Sequence, residues 1–503
     1  MRRILTLAGW TPNRACLLGL LAAAVAAACS SSSGAPGASV EVDAGFDGSF
    51  DASFDEDAPA DGGVPASDAS IADALPPHDA SPATEASPGF DASPEASPDA
   101  AVDASAPTDG ATDAPVQPEA SAPDGGGTDS GVVGFGAAVS VAVGDSDACA
   151  VTAAGAVVCW GSNTGGALGT GSTSPPNSAT PVQVAGLTSG IQSVSVGDGF
   201  ACALTTAGAV WCWGTNGGGQ LGVPTTTASS PSPVQVTGLS SGITAISCGE
   251  SASCAINTSG GVVCWGADDS YQLGDPSVSN LSTTPVPVSG LSSGVTSVSM
   301  GDSSACAVTS SGAVMCWGAN NEGQLGNGTQ DSRTPVAVQG LAANAASVAV
   351  GWDAACARLT TGALQCWGYN ATDVLGEAST TASFSATPVT VSLSGATSVS
   401  LDYIDDGAAC AITTGGGLLC WGYDAYGELG NGQNTNTPTP QQVTGLTSGV
   451  SSVSMGADSA CAVYACGVKC WGSNPFGELG VPTSTLRTNT PVDVALLGAS
   501  SCP

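Results

Sequence analysis

Histidine is almost missing from this 503-residue chain: His78 is the only one, and it stands in a low-complexity stretch. That absence excludes a Ser-His-Asp or Cys-His catalytic arrangement from the rest of the chain and removes the imidazole ligands of zinc. Basic residues are nearly as scarce, with 7 Lys and Arg against 42 Asp and Glu. At a formal charge of −35 the chain repels nucleic acid and anionic lipid headgroups, whose binding needs Lys and Arg to neutralise phosphates. The apolar stretch from Leu17 to Ala28 is too short to span a bilayer. Glycine clusters such as Asn216-Gly217-Gly218-Gly219 lack a following Lys and open no helix, so they are not phosphate-cradling loops.

What is present divides into three parts. In residues 1–28, Arg2, Arg3 and Arg14 precede the short apolar stretch, the pattern of a bacterial secretion signal. Ala26-Ala27-Ala28-Cys29 resembles a lipoprotein box in which Cys29 is acylated, although such boxes more often carry Leu three residues before the Cys. The alternative is an ordinary Ala-x-Ala cleavage that leaves a free thiol and a secreted protein. Residues 29–132 hold 21 acids, no Lys or Arg, and Asp-Ala-Ser at 51, 68, 79, 91 and 103. With little apolar material and charge of one sign, this tract is expected to be a disordered tether. As a flexible chain it would span roughly 55 Å, enough to hold a domain clear of the lipid.

Residues 133–503 are a repeat array. Cys-Trp-Gly occurs seven times, at intervals of 53, 52, 52, 50, 54 and 50 residues. Within one period, Thr180-Pro-Val-Gln-Val184 reads as a short strand, and Ile191 to Val196 alternates as a strand with one buried face. Cys202 to Thr205 and Ala209 to Trp213 then flank a tight turn at Thr206-Ala-Gly208. Four short antiparallel strands repeated seven times predict an all-β, seven-bladed propeller. The run with Pro at its start occurs at 180, 232, 284, 334, 387, 439 and 490, after rather than before the first hairpin. The reading is that the C-terminal run completes the first blade and so closes the ring.

The hairpins place Cys149 opposite Cys159, within disulfide range. The same pairing predicts Cys202–Cys212, Cys254–Cys264, Cys306–Cys316, Cys356–Cys366, Cys410–Cys420 and Cys461–Cys470, one per blade. The last spacing is 9 rather than 10, a turn one residue shorter around Ala465-Cys466. Zinc is excluded because there is no C-x-x-C and no His in the array. Cys248 stands where other units have Val or Met and reads as a buried thiol, while Cys466 is expected to pair with Cys502.

Units such as Cys306-Ala-Val-Thr-Ser-Ser-Gly-Ala-Val-Met-Cys316-Trp-Gly-Ala-Asn-Asn-Glu-Gly-Gln-Leu-Gly326 resemble the repeats of the regulator-of-chromosome-condensation family. The resemblance covers about residues 137–497 and implies a seven-bladed propeller. The family includes a nuclear guanine-nucleotide exchange factor, a secreted bacterial inhibitor of β-lactamases and many bacterial surface proteins. Many members carry His two residues before the first Cys; here those positions are Asp147, Phe200, Ala252, Ser304, Ala354, Ala408 and Ser459. The chain also lacks a basic tail for chromatin, so the fold transfers and the activities do not.

Three features are candidates for a binding surface. Asp145, Asp198, Glu250 and Asp302 occupy one equivalent turn in successive units, as a ring for a cation or basic partner or as Asx-turns that hold the loop. Trp160 and its six equivalents are sugar platforms or, more economically, packing between blades. The repeat breaks at Leu401-Asp-Tyr-Ile-Asp-Asp-Gly407, beside Trp352-Asp353 of the previous unit. Trp352, Asp353, Asp402, Tyr403, Asp405 and Asp406 are therefore the site candidates, against neutral drift of a loop. The resulting expectation is a non-enzymatic protein-binding module at the bacterial cell envelope, exported to the outer membrane or cell surface. It is expected to be monomeric, free of cofactor and metal, and in contact with membrane only through its lipid anchor. The alternative is a propeller that binds or processes carbohydrate through paired carboxylates, of which no pair stands out.

Overall fold

The computed structural model describes residues 135–224, 227–378, 382–402 and 407–495. The signal segment, Cys29 and the tether lie outside the described residues, as do Tyr403, Asp405, Asp406 and Cys502. Seven four-stranded antiparallel sheets follow one another along the chain, each a blade of a propeller. In blade 1 the order from the channel outward is Ala138–Val143, Asp147–Thr152, Val157–Ser162 and Asn177–Gln183. The other six blades repeat that order.

The expected strand exchange at the C-terminus is not found. Each Pro-containing run pairs with the Cys-Trp-Gly strand that precedes it, so Val182 faces Cys159 in blade 1 and Val492 faces Cys470 in blade 7. The strand Arg487–Asp493 therefore completes blade 7, not blade 1. A run joined to its neighbour by one loop returns antiparallel without leaving the blade, and every blade is built from contiguous chain. Pro181 lies within this outer strand, opposite a bulge between Cys159 and Gly161, where a missing N–H breaks no ladder. Blades 7 and 1 meet face to face instead. The Val143 N–H donates to Ser454 Oγ at 3.0 Å and the Ala138 N–H to the Cys466 carbonyl at 2.9 Å. Val141, Val143 and Trp160 share one buried cluster with Val463, Val468 and Leu479.

All seven predicted disulfides are present, with Cα atoms 4.0–4.1 Å apart at directly opposed positions. Six hairpins turn through a glycine with positive φ, such as Gly155 and Gly208, whereas the shorter seventh uses Ala465 and Cys466, both at positive φ. Cys466 is itself disulfide-bonded. Cys248 is a free thiol, buried among the innermost strands that line a channel cavity of about 240 Å³.

The seven Cys-Trp-Gly tryptophans are fully buried. Each indole N–H donates at 2.7–2.9 Å to a carbonyl in a loop of the preceding blade: Trp160 to Glu478, Trp265 to Gln220, Trp471 to Glu428. They are latches between blades, and none is available as a sugar platform.

At one mouth of the channel a ring of glycines brings the blades together. A Cβ on Gly249 would lie 2.0 Å from the Gly301 carbonyl oxygen, one on Gly301 2.1 Å from that of Gly351, and one on Gly456 2.1 Å from that of Gly144. Gly301→Ala is therefore expected to destabilise the domain by roughly 2–4 kcal/mol, because backbone rather than a mobile side chain must give way. Gly217→Ala, with open space around the position, should leave the melting temperature unchanged. Equal melting temperatures for the two variants would show that the blades separate without cost.

Candidate functional site

Strand direction separates the loops into two sets. One end of the propeller carries the turns from innermost to second strand and the long loops from third to outer strand; the other carries the disulfide hairpins and the connectors between blades. Every described Asp and Glu except Asp493 lies at the first end. Asp493 sits on an outer strand and pairs with Lys469 at 2.6 Å. At the acidic end Arg333 lies over the Tyr271 ring, 3.9 Å from its centroid, and Arg487 donates to the Ala425 carbonyl. Among the described residues, no group of three or more His, Cys, Asp and Glu is arranged to hold a metal ion.

Asp145, Asp198, Glu250 and Asp302 occupy the same turn in blades 1 to 4, each directly after a glycine of the ring. Burial raises Asp198 to about 6, helped by the charges of Asp145 and Glu250. Burial also raises Asp302, to about 9, with a hydrogen bond and charge from Glu250 adding to it.

Of the six candidates, Trp352, Asp353 and Asp402 are described, and all three are at this mouth where blades 5 and 6 meet. The Trp352 N–H donates to the Asp402 carbonyl at 3.2 Å, and the Trp352 ring meets Tyr369 edge-on at 5.6 Å. The Asp353 carboxylate accepts from the Gln324 amide of blade 4. Asp402 takes the place of a ring glycine, since its carbonyl oxygen faces Gly351 as glycine carbonyls do elsewhere, and it is 2% exposed. Tyr403, Asp405 and Asp406 lie outside the described residues.

Two sets of residues escaped the sequence reading. The first is Asp147, where many members of the resembling family carry His. It is 1% exposed and neither carboxylate oxygen has a hydrogen-bond partner. Burial, then Asp145, Asp198 and Glu478, hold its carboxyl well above the usual range. The second is the variable residue of the x-Leu-Gly turn. At that position Gln220, Gln272, Gln324, Glu428 and Glu478 each accept from the backbone N–H two residues earlier, at 2.8–3.1 Å. The glutamines use their second arm as a donor: Gln272 to Asp269 and Gln324 to Asp353. The glutamates have no donor there. Glu428 Oε1 is buried without a partner, and burial lifts its carboxyl to about 8, with Asp424 and Asp458 adding to the rise. Glu478 is lifted by burial to about 7, with Asp145 adding.

Comparison with known proteins follows the repeats. The RCC1-like domain matches residues 107–403 and the Regulator of chromosome condensation (RCC1) repeat residues 415–463. The chain is 33% identical over 195 residues to the mitochondrial RCC1 domain-containing protein RUG3 of Arabidopsis thaliana, covering 37% of this chain and 43% of that one. It is 32% identical over 200 residues to the human E3 ubiquitin-protein ligase HERC2, covering 39% of this chain and 4% of that one. The match thus spans less than half the length of these relatives. Among solved structures, human WBSCR16 is similar with a TM-score of 0.60 at 23% identity, covering 68% of this chain and 94% of that one. Yeast RCC1 (Prp20), solved with Kap60, has a TM-score of 0.60 at 20% identity over 67% of this chain and 83% of that one. What these structures share with the chain is the fold.

Proposed function

We propose that this chain, which belongs to the RCC1-like domain family, is a non-enzymatic protein-binding module held at the bacterial cell envelope by a lipid anchor on Cys29 and the tether that follows. The observation that carries the reading is the partition of charge, with every described acid except Asp493 at one end of the propeller. A predominantly acidic face steers a basic partner and rejects acidic ones, over a range set by ionic strength. Seven disulfides suit an oxidising compartment outside the cytosol. A protein partner is also the role that solved relatives suggest: yeast RCC1 was crystallised with Kap60, and Prp20p is described as binding Gsp1p and histones. The partner of this chain is a different one, met outside the cell's interior.

The test is affinity capture from envelope and culture-fluid fractions on the immobilised oxidised protein, with a reduced sample beside it. The expected result is a basic protein retained by the oxidised form alone and released as salt rises. Retention of glycan fragments, or of nothing, would remove the protein-partner reading and favour the carbohydrate alternative or a purely structural role.

A further inference from the structure

The x-Leu-Gly turn meets the next blade at every junction, and the side chain at x decides what it offers there. Where blade 4 meets blade 5, the Gln324 amide satisfies Asp353. Where blade 6 meets blade 7, the residue is Glu428 and it faces the charges of Asp424 and Asp458. Where blade 7 meets blade 1, it is Glu478, facing Asp145, with buried Asp147 behind. Compared with the blade 4–5 junction, these two consecutive junctions present an acceptor where Gln324 presents a donor, and each still faces an acid.

The glutamates are not free to withdraw. The Trp471 indole N–H holds the Glu428 carbonyl at 2.7 Å, the Trp160 indole N–H holds the Glu478 carbonyl at 2.8 Å, and Gly161 sits directly against the Glu478 backbone. One oxygen of each glutamate is already used by its own turn, at 2.8 Å from the N–H of Tyr426 or Phe476. What remains is acceptor capacity without a donor: Glu428 Oε1 and both oxygens of Asp147 have no partner and are buried. Half-buried Asp458 lies beside the first of these places and half-buried Asp145 beside the second. Unpaired buried carboxyl oxygens are costly, and a group that brings several N–H donors and a positive charge satisfies both needs.

We infer that the blade 6–7 and blade 7–1 notches of the acidic mouth are receptors for Lys or Arg side chains of the partner, with Glu428, Glu478 and Asp147 as the anchoring acceptors. This deepens the binding reading above and rests on it. The ligand class is an extended basic peptide segment that crosses the mouth and places cationic side chains in adjacent junctions.

The experiment compares three full-length oxidised chains: the natural one, a Glu428→Gln/Glu478→Gln variant, and an Asp109→Asn/Asp113→Asn variant that loses equal charge in the tether. The probe is a fluorescent hexa-arginine peptide, with hexa-citrulline as its neutral counterpart. The variant should fold, because Gln already occupies the same position in blades 2, 3 and 4 as Gln220, Gln272 and Gln324. At pH 8 and low salt the glutamate variant is expected to bind hexa-arginine about tenfold more weakly than the other two chains. Binding to the natural chain should tighten between pH 6 and 9, as protons leave Glu428 and Glu478 in the field of Asp145, Asp424 and Asp458. That dependence should flatten in the glutamate variant. Equal affinities for all three chains, or equal pH profiles, would overturn the notches and assign the peptide to diffuse charge. The wider reading is judged separately: a partner captured equally well by the glutamate variant leaves it standing without the notches, and retained peptide binding with no partner captured does the reverse.

Discussion

Reduction with a phosphine at neutral pH is expected to unfold the propeller at 37 °C, with the seven buried tryptophans moving to water and their emission shifting to the red. Each disulfide closes a loop of nine or ten residues. On the chain-entropy account such a loop restrains the unfolded chain by roughly 2.5 kcal/mol. Seven of them approach 20 kcal/mol as an upper bound, which exceeds the roughly 5–15 kcal/mol of a typical folded domain. Packing adds to the loss. The cystine sulfurs are fully buried between blades, as with Cys254, whose sulfur lies 3.6 Å from Met300 Sδ. Two separated thiols need more room than a bonded pair, in a core with none to spare. A single Cys306→Ser/Cys316→Ser variant should lose about 2–4 kcal/mol and remain folded. Unchanged emission after complete reduction would mean that the tryptophan latches and blade packing suffice by themselves.

The parts of this fold that were legible in the sequence are those decided within one hairpin. Cys149 and Cys159 are equidistant from their turn, so opposition on adjacent strands followed from spacing alone, and the observed register pairs them. The phase of the blade was not legible in that way. The run from Thr180 has the same distance in sequence to a hairpin on either side, and only pairing of Val182 with Cys159 assigns it to the first. The alternating innermost strands were read correctly as two-faced, yet the work of the serines depends on the neighbouring blade. Ser195, Ser247, Ser299, Ser400 and Ser454 accept N–H groups of Cys248, Met300, Val350, Met455 and Val143 at 2.9–3.1 Å. The candidate site divides along the same line. The break after Leu401 is visible as an irregular spacing, whereas Glu428 and Glu478 look like ordinary variants of a Gln-containing turn. Their meaning appears only when the acid across the junction is known.

Stability should fall, not rise, between pH 5 and pH 9. Asp424 is raised to about 6, Glu478 to about 7, Glu428 to about 8 and Asp302 to about 9, each chiefly by burial. Unfolded carboxyls release their protons near pH 4. Across the window from about 4 to about 9 the folded state therefore binds more protons than the unfolded one, so the slope of unfolding free energy with pH is negative. The contribution is fully present below pH 4 and is lost as pH rises through each folded value. With several groups acting together the melting temperature is expected to drop by roughly 5–10 °C between pH 5 and 9. Many proteins lose stability toward acid because paired carboxylates must protonate; here the carboxyls crowd one another with almost no Lys or Arg to pair them. Glu428→Gln/Glu478→Gln should melt higher than the natural chain at pH 8 and show a shallower decline, because it removes two of the groups and restores a donor at both junctions. A profile that rises from pH 5 to 9 would mean that the mouth is hydrated enough to ionise freely. The cation-receptor notches would then lose the unmet demand for donors on which they rest. A falling profile that hexa-arginine partly reverses at pH 9 joins the two properties, with the peptide supplying the positive charge that protons supply at pH 5.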